Sequence, residues 1–381
     1  MPRFLCFACL VLLALFIAES NSAQLLSAQT TSGVAPMVTE SGGFPVLKAR
    51  TTAGAEPRDA KAAKIFVKAV RDLEDHKFPL ALEGFRKADT QDGGRCVVCE
   101  IQAYKTAKQI GDFTTAREET ALLLDHVTDP ADKAEIHYLA GDVCLAEGGY
   151  RIFEKPFQDA DSEFQAALQL QPEKSDCLYD DGLALAHLHQ YQKATERFEQ
   201  YMKLAPAPAS QSDLKYKYAK LFATQPELAR KRVAPEFHVV ALDGKTVSMQ
   251  SLAGKVVLID FWATWCGPCK QALPHLKEIA QKFEGQPLVV ISISLDADEA
   301  TWKKFVSQNG MTWAQYRDGG FDDPIATSFA VKAIPTTFTI DADGFLQDQQ
   351  VGDGNIEEKL KKLIAQVKPA AGGETAKGGM Q

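Results

Sequence analysis

After Ala18 this chain has no apolar run approaching the roughly 20 residues that a helix needs to cross a bilayer, so no membrane span is expected downstream of its N-terminus. It also lacks an excess of basic side chains. The net charge is −8, which argues against nucleic acid as a partner. Cysteine is sparse: of eight in 381 residues, only Cys266 and Cys269 fall between Val233 and Lys368. A structural zinc site there would need a second ligand pair, so neither a metal nor another cofactor is expected. At 45 % hydrophobic and 24 % charged, the composition is that of a soluble globular protein with more than one domain.

The two cysteines lie in DFWATWCGPCKQALP, Asp260 to Pro274. Before them, KVVLIDFW (255–262) is a short continuous apolar run, the pattern of a strand buried on both faces of a sheet. After them, Leu273, Leu276, Ile279, Ala280 and Phe283 recur at helical spacing, which predicts that Cys266 sits at or just before a helix N-terminus. Unpaired backbone N–H groups and the helix dipole favour an anion there, and the Cys266 thiolate is both that anion and the reactive form of the side chain. Cys269, one turn on, is placed to attack a mixed disulfide on Cys266 and close the pair. Pro268 falls early in the helix, where its missing N–H costs nothing. Asp260 lies inside the apolar strand, where an unpaired carboxylate is costly and its pKa should rise.

WCGPC, with Asp260 six residues before the first cysteine, Pro274 five after the second and Ile334-Pro335-Thr336 downstream, resembles thioredoxin. The whole of Val233 to Lys368 is similar to the TlpA/ResA-like branch of that superfamily, the extracytoplasmic thiol–disulfide oxidoreductases. The branch-level features are PEFHVVALDGKTVSMQSLAGK, FWATWCGPC and IPTTFTIDADG, in which Asp343-Gly344 reads as a hairpin turn. The resemblance implies a thioredoxin-like α/β domain, with Cys266 and Cys269 as a redox-active disulfide. It implies that Pro335 is the superfamily's cis-proline, that the Ile334 backbone pairs with an extended substrate segment, and that Trp265 and Trp262 flank the site, the latter mainly as core. Asp260 matches the thioredoxin proton acceptor for the second cysteine; the alternative is a structural acid capped by local donors. Many TlpA-like chains instead carry a glutamate three residues after the second cysteine, where this chain has Ala272. The lysine that neighbours the acid in thioredoxins is missing too, since LVVISISL (288–295) has serines there. His275 reads as an exposed helical histidine.

The N-terminus has the pattern of a secretory signal: Arg3, an apolar run over 4–18, then AESNSAQ. Residues 1–23 are therefore expected to be a cleaved signal peptide, with an uncleaved membrane anchor as the alternative. Residues 24–58, rich in small and polar residues, read as a flexible tether. Across 59–208 an internal repeat appears. Ala160, Phe164 and Pro172 recur 34 residues later as Ala194, Phe198 and Pro206, Gly141 and Gly182 match in the preceding helices, and Ala81, Phe85 and Ala88 supply an earlier copy. This resembles tetratricopeptide repeats, four helix pairs whose small residues admit the aromatics of their partners. Residues 209–232 read as a capping helix and linker, and 369–381 as a disordered tail.

The fold expected is thus α plus α/β, an all-α repeat solenoid followed by a thioredoxin-like domain over 233–368. In the repeats, Cys144 and Cys177 read as core. Cys96 and Cys99 form a second C-x-x-C, with structural or unpaired cysteines favoured over a redox-linked pair. The function expected is an extracytoplasmic, periplasmic or secreted, thiol–disulfide oxidoreductase. The Gly267-Pro268 dipeptide points to a reductant. It would act on protein disulfides and draw electrons from a partner such as a membrane relay, with a peptide or protein held by the repeats. The alternative is an interaction scaffold in which the repeats do the essential work and the thioredoxin-like domain docks. A peroxidase of the related peroxiredoxin type would need a threonine-and-cysteine site, and TWC offers only an adjacent threonine.

Overall fold

A computed structural model describes residues 57–151, 153–204, 214–352 and 356–367. The predicted signal, nearly all of the tether, the tail and Pro206 lie outside the described residues. Among the described residues, no helix is long and apolar enough to cross a membrane.

Eight helices form four consecutive pairs: α1 (Ala60–Glu74) with α2 (Phe78–Gln91), α3 (Val97–Ile110) with α4 (Phe113–His126), α5 (Pro130–Arg151) with α6 (Glu154–Leu170), and α7 (Ser175–His187) with α8 (Tyr191–Leu204). A ninth, α9 (Leu214–Thr224), follows and leads into a short 3-10 turn, Pro226–Arg230. The glycines explain the close pairing. A Cβ on Gly141 would come within 2.5 Å of the Phe164 ring, and one on Gly182 within 2.7 Å of the Phe198 ring, so each aromatic fills the gap that its glycine leaves. Gly148 near the end of α5 meets Phe157 of α6 in the same way. Cys144 and Cys177 are buried free thiols, as expected of core residues. Cys96 and Cys99 are not unpaired: they form a disulfide at the start of α3, in an apolar pocket with Ala88 and Phe66.

The second part is a five-stranded sheet of order β5-β4-β3-β6-β7: β3 (Val256–Trp262), β4 (Leu288–Ser294), β5 (Ala314–Arg317), β6 (Thr336–Ile340) and β7 (Leu346–Val351). β3, β4 and β5 pair parallel, while β6 and β7 join antiparallel on the other side of β3. A separate hairpin of β1 (His238–Val240) and β2 (Thr246–Ser248) precedes them. Helices α10 (Gly267–Lys282), α11 (Glu299–Gln308), α12 (Pro324–Ser328) and α13 (Glu357–Gln366) complete the domain. Every residue of β3 is buried, as its unbroken apolar run requires. The pleat sends Val257, Ile259 and Phe261 into one core with Phe329 and Phe338, and Val256 and Leu258 into another with Leu276 and Ile279 of α10.

The two parts share side chains. The turn between β6 and β7 carries Phe345 into the repeat core, with ring centroids 5.8 Å from Tyr218 and 6.2 Å from Phe222 of α9. The Tyr218 hydroxyl donates to the Asp343 carbonyl at 3.1 Å. Gly344, at φ +97°, is required twice, because a Cβ there would also stand 2.2 Å from the Tyr218 hydroxyl oxygen. The hairpin turn expected at Asp343-Gly344 is therefore also the plug that joins the domain to the last repeat. Phe345→Ala should cost about 3–5 kcal/mol. Chemical denaturation followed by tryptophan fluorescence would check this; a loss below 1 kcal/mol would show that the shared core is not stabilising.

Candidate functional site

α10 begins where β3 ends, and Cys266 is its N-cap. Cys266 and Cys269 form a disulfide, and the Cys269 N–H donates to Cys266 Sγ at 3.2 Å. An orphan helix N–H thus already faces the sulfur on which an anion would form. The two cysteines are only 5 % and 6 % exposed, whereas Trp265 immediately before them is 59 % exposed. Trp262 is buried against Phe305 and belongs to the core beneath the cysteines, as its expected packing role requires.

The loop that presents Trp265 and Cys266 is pinned from β4. Asp296 accepts the Thr264 N–H at 2.9 Å and its hydroxyl at 2.6 Å, and it also takes the Ser294 hydroxyl at 2.7 Å. The Thr264 hydroxyl is therefore committed to Asp296. Opposite the helix start, the Ile334–Pro335 peptide is cis, and the Ile334 carbonyl oxygen lies 3.8 Å from Cys266 Sγ. Pro335 is buried and Ile334 half-buried.

Asp260 occupies the next position along the α10 face of β3, between Leu258 and Trp262. It is 8 % exposed, and burial pushes its carboxyl up to about 7, with the Ser292 hydroxyl, which donates at 3.2 Å, acting in the opposite direction. With Cys269, Ala272, His275 and Pro335 it lines a cavity of about 40 Å³. That is room for a water, since a site needs about 10–15 Å³ to hold one. His275 departs from the sequence reading: it is half-buried and lines this cavity. Among the described residues no group of acids, histidines and cysteines is arranged to hold a metal ion.

The matches with known proteins fall on this half of the chain. A family model described as AhpC/TSA matches residues 231–349. The thiol-disulfide oxidoreductase ResA of Bacillus anthracis is 31 % identical over 152 residues, covering 40 % of this chain and 86 % of the relative. That of Geobacillus thermodenitrificans is 27 % identical over 152 residues, with the same coverage. The chain belongs to the ResA-like thiol–disulfide oxidoreductases. Among solved structures, a thiol-disulfide oxidoreductase from Bacteroides fragilis covers 35 % of this chain and 99 % of its own, at 25 % identity and a TM-score of 0.33.

Within this oxidoreductase the structure brings Cys266, Cys269, Asp260, Ile334 and Pro335 together, with Trp265 on the rim. Sequence reasoning missed Asp296, Ser292 and Trp313, whose indole N–H donates to Ser292 Oγ at 2.8 Å. Only the serines of β4, already noticeable as polar residues in an apolar strand, offered a signal for them.

The raised Asp260 pKa has a stability consequence with a definite sign. Between about pH 4 and 7 the folded protein keeps a proton on Asp260 that the unfolded chain has lost, so this group's contribution to stability falls as pH rises through that window and is level above it. Asp260→Asn should remove that decline, stabilising the protein at pH 8 relative to pH 4.5 by up to about 4 kcal/mol compared with wild type. Parallel stability–pH curves for the two proteins in chemical denaturation would contradict the assignment.

Proposed function

We propose that the protein is an extracytoplasmic thiol–disulfide reductant acting on protein disulfides, with Cys266 as attacking thiolate, Cys269 as resolving thiol and Asp260 as its proton acceptor. The observation that carries the reading is the placement of both sulfurs at the start of α10, with a helix N–H on Cys266 Sγ and a buried carboxyl lining the same cavity as Cys269. In the dithiol form the helix terminus favours the Cys266 thiolate. It attacks a substrate disulfide, forming a mixed disulfide and expelling one substrate thiolate. Cys269 then gives its proton to Asp260 and attacks Cys266 Sγ. The Cys266–Cys269 bond forms as the bond to substrate breaks, and the second substrate sulfur leaves with the electron pair. Two electrons pass from the cysteine pair to the substrate.

Substrate docks over Trp265 and along the backbone of Ile334, beside Pro335, where the rim is apolar and the Ile334 carbonyl is close to the sulfur. A peroxidase reading finds no support, because the Thr264 hydroxyl is spent on Asp296. The signal-like N-terminus and the Cys96–Cys99 disulfide favour an oxidising compartment outside the cytoplasm, with periplasm or secreted milieu as the setting. A reductant there draws its electrons from a partner, such as a membrane relay. The array, read as tetratricopeptide repeats over 59–208 with a cap and linker over 209–232, holds a protein partner against the thioredoxin-like domain of 233–368, to which the Phe345 plug fastens it.

Insulin-disulfide reduction by the full chain should fall to the reagent background in Cys266→Ser. The Cys266/Cys269 couple should equilibrate near thioredoxin's potential of about −270 mV, well below the roughly −120 mV of a strong oxidant. Turnover equal in wild type and variant would leave only the scaffold reading. In Cys269→Ser, mixed disulfides with protein substrates should accumulate on Cys266 and be visible on non-reducing gels; their absence under oxidising load would remove the resolving role.

A further inference from the structure

The acid of this site lacks the lysine that neighbours it in thioredoxins, and the structure shows what stands there instead. The parallel register sets Ser292 of β4 directly beside Asp260 of β3. Ser292 is fully buried and donates its hydroxyl to Asp260 Oδ2 at 3.2 Å. The same Oγ accepts the Trp313 indole N–H at 2.8 Å. An indole nitrogen can only donate, and a hydroxyl has a single proton. With Trp313 on one of the oxygen's lone pairs, the hydroxyl hydrogen is left for the carboxyl. Trp313 is itself held in place, just before β5, by packing against both the core under α10 and the cluster containing the two cysteines.

Few groups compete for Asp260. Among the described residues, Ser292 is the one hydrogen-bond donor to its carboxyl. Cys269, Lys270 and His275 of α10 face the same cavity, whereas α11, β6 and the N-cap of α13 present Phe305, Thr337 and Ile356, none of them charged. A neutral donor supports the carboxylate form without bringing a second charge into the core.

We propose that Ser292 and Trp313 are positioning residues for proton transfer at the dithiol: Trp313 locks the Ser292 hydroxyl as a donor, and the hydroxyl holds Asp260 ready to take the proton of Cys269. The inference rests on the reading of Asp260 as proton acceptor and names the pair that sets when it can act. In the step it governs, the Cys269 proton moves to Asp260 as the Cys269 thiolate displaces the substrate sulfur from Cys266. The proton then returns to water through the cavity. The step runs only when Asp260 is ionised, so its rate rises with pH through the titration of that carboxyl. Loss of the hydroxyl donor removes support for the ionised form and moves that rise to higher pH.

The resolving step can be isolated with the reduced full chain and an aromatic disulfide whose two thiolates absorb in the visible. The first thiolate appears as Cys266 is attached, and the second as Cys269 displaces the other half. In Ser292→Ala the pH rise of the second phase should move up by about one unit, slowing that phase about tenfold near pH 6. Trp313→Phe, which frees the hydroxyl to rotate, should move it the same way by about half a unit. Ser292→Thr keeps the hydroxyl and should restore the wild-type profile. A merely structural role would lower the melting temperature and leave the profile where it is. Asp260→Asn should abolish the rise. If it does not, the reading of Asp260 fails, whatever Ser292 does. If Asp260→Asn abolishes the rise while Ser292→Ala and Trp313→Phe leave it in place, the positioning pair is overturned. Should Ser292→Ala not fold, Trp313→Phe decides alone, an unmoved profile refuting the lock.

Discussion

The candidate site depends on the pleat of one strand. β3 is buried along its whole length, and the period of two sends Leu258, Asp260 and Trp262 to the face that α10 covers. A one-residue slip would turn Asp260 into the opposite core, among Phe329 and Phe338, where no cysteine lies. The same strand ends at the loop that starts α10, so the carboxyl and the two sulfurs are placed by a single covalent run. The neighbouring strands then complete the surroundings: β4 supplies Ser292, and the Pro335 segment leads into β6.

What distinguishes this site is how a buried acid is supported. A charged partner would have to be desolvated with it, and a buried pair does not always recover that cost. Here the partner is a hydroxyl, oriented by an indole, and the carboxyl stays close to its protonation midpoint near neutral pH. Ala272, where the resemblance to TlpA-like chains would often put a glutamate, lines the cavity through which a proton can reach water. Two departures from the family pattern thus fit one arrangement, with a single acid, a neutral donor and a small wet space.

The repeat array is joined to this chemistry at the far end of β6. That strand starts beside Pro335 and ends at the turn whose Phe345 sits in the core of the last repeat. Aromatic packing against Tyr218 and Phe222, and the Tyr218 bond to Asp343, leave Gly344 as the residue that fits. The helices and the dithiol domain are thereby joined by a packed junction as well as by the chain linking them.

Much of this was legible in the sequence, for reasons of local physics. An unbroken apolar run, the C-x-x-C spacing and the helical recurrence after it determine strand, thiols and helix start without reference to anything distant. The 34-residue repeat works likewise, because each close approach of paired helices needs a small residue opposite the aromatic that fills the gap, as Gly141 and Gly182 stand opposite Phe164 and Phe198. What remained hidden was every contact made across the register. The Asp296 clasp on Thr264, the Trp313–Ser292–Asp260 chain and the Phe345 plug all join residues by how elements pack. The sequence by itself determined which chemistry the chain carries, because the reactive groups are neighbours along it. Only the tertiary structure decided how that chemistry is tuned and where the repeats are fastened, because hydrogen bonds and aromatic contacts between strands and helices depend on a pairing that no local pattern records.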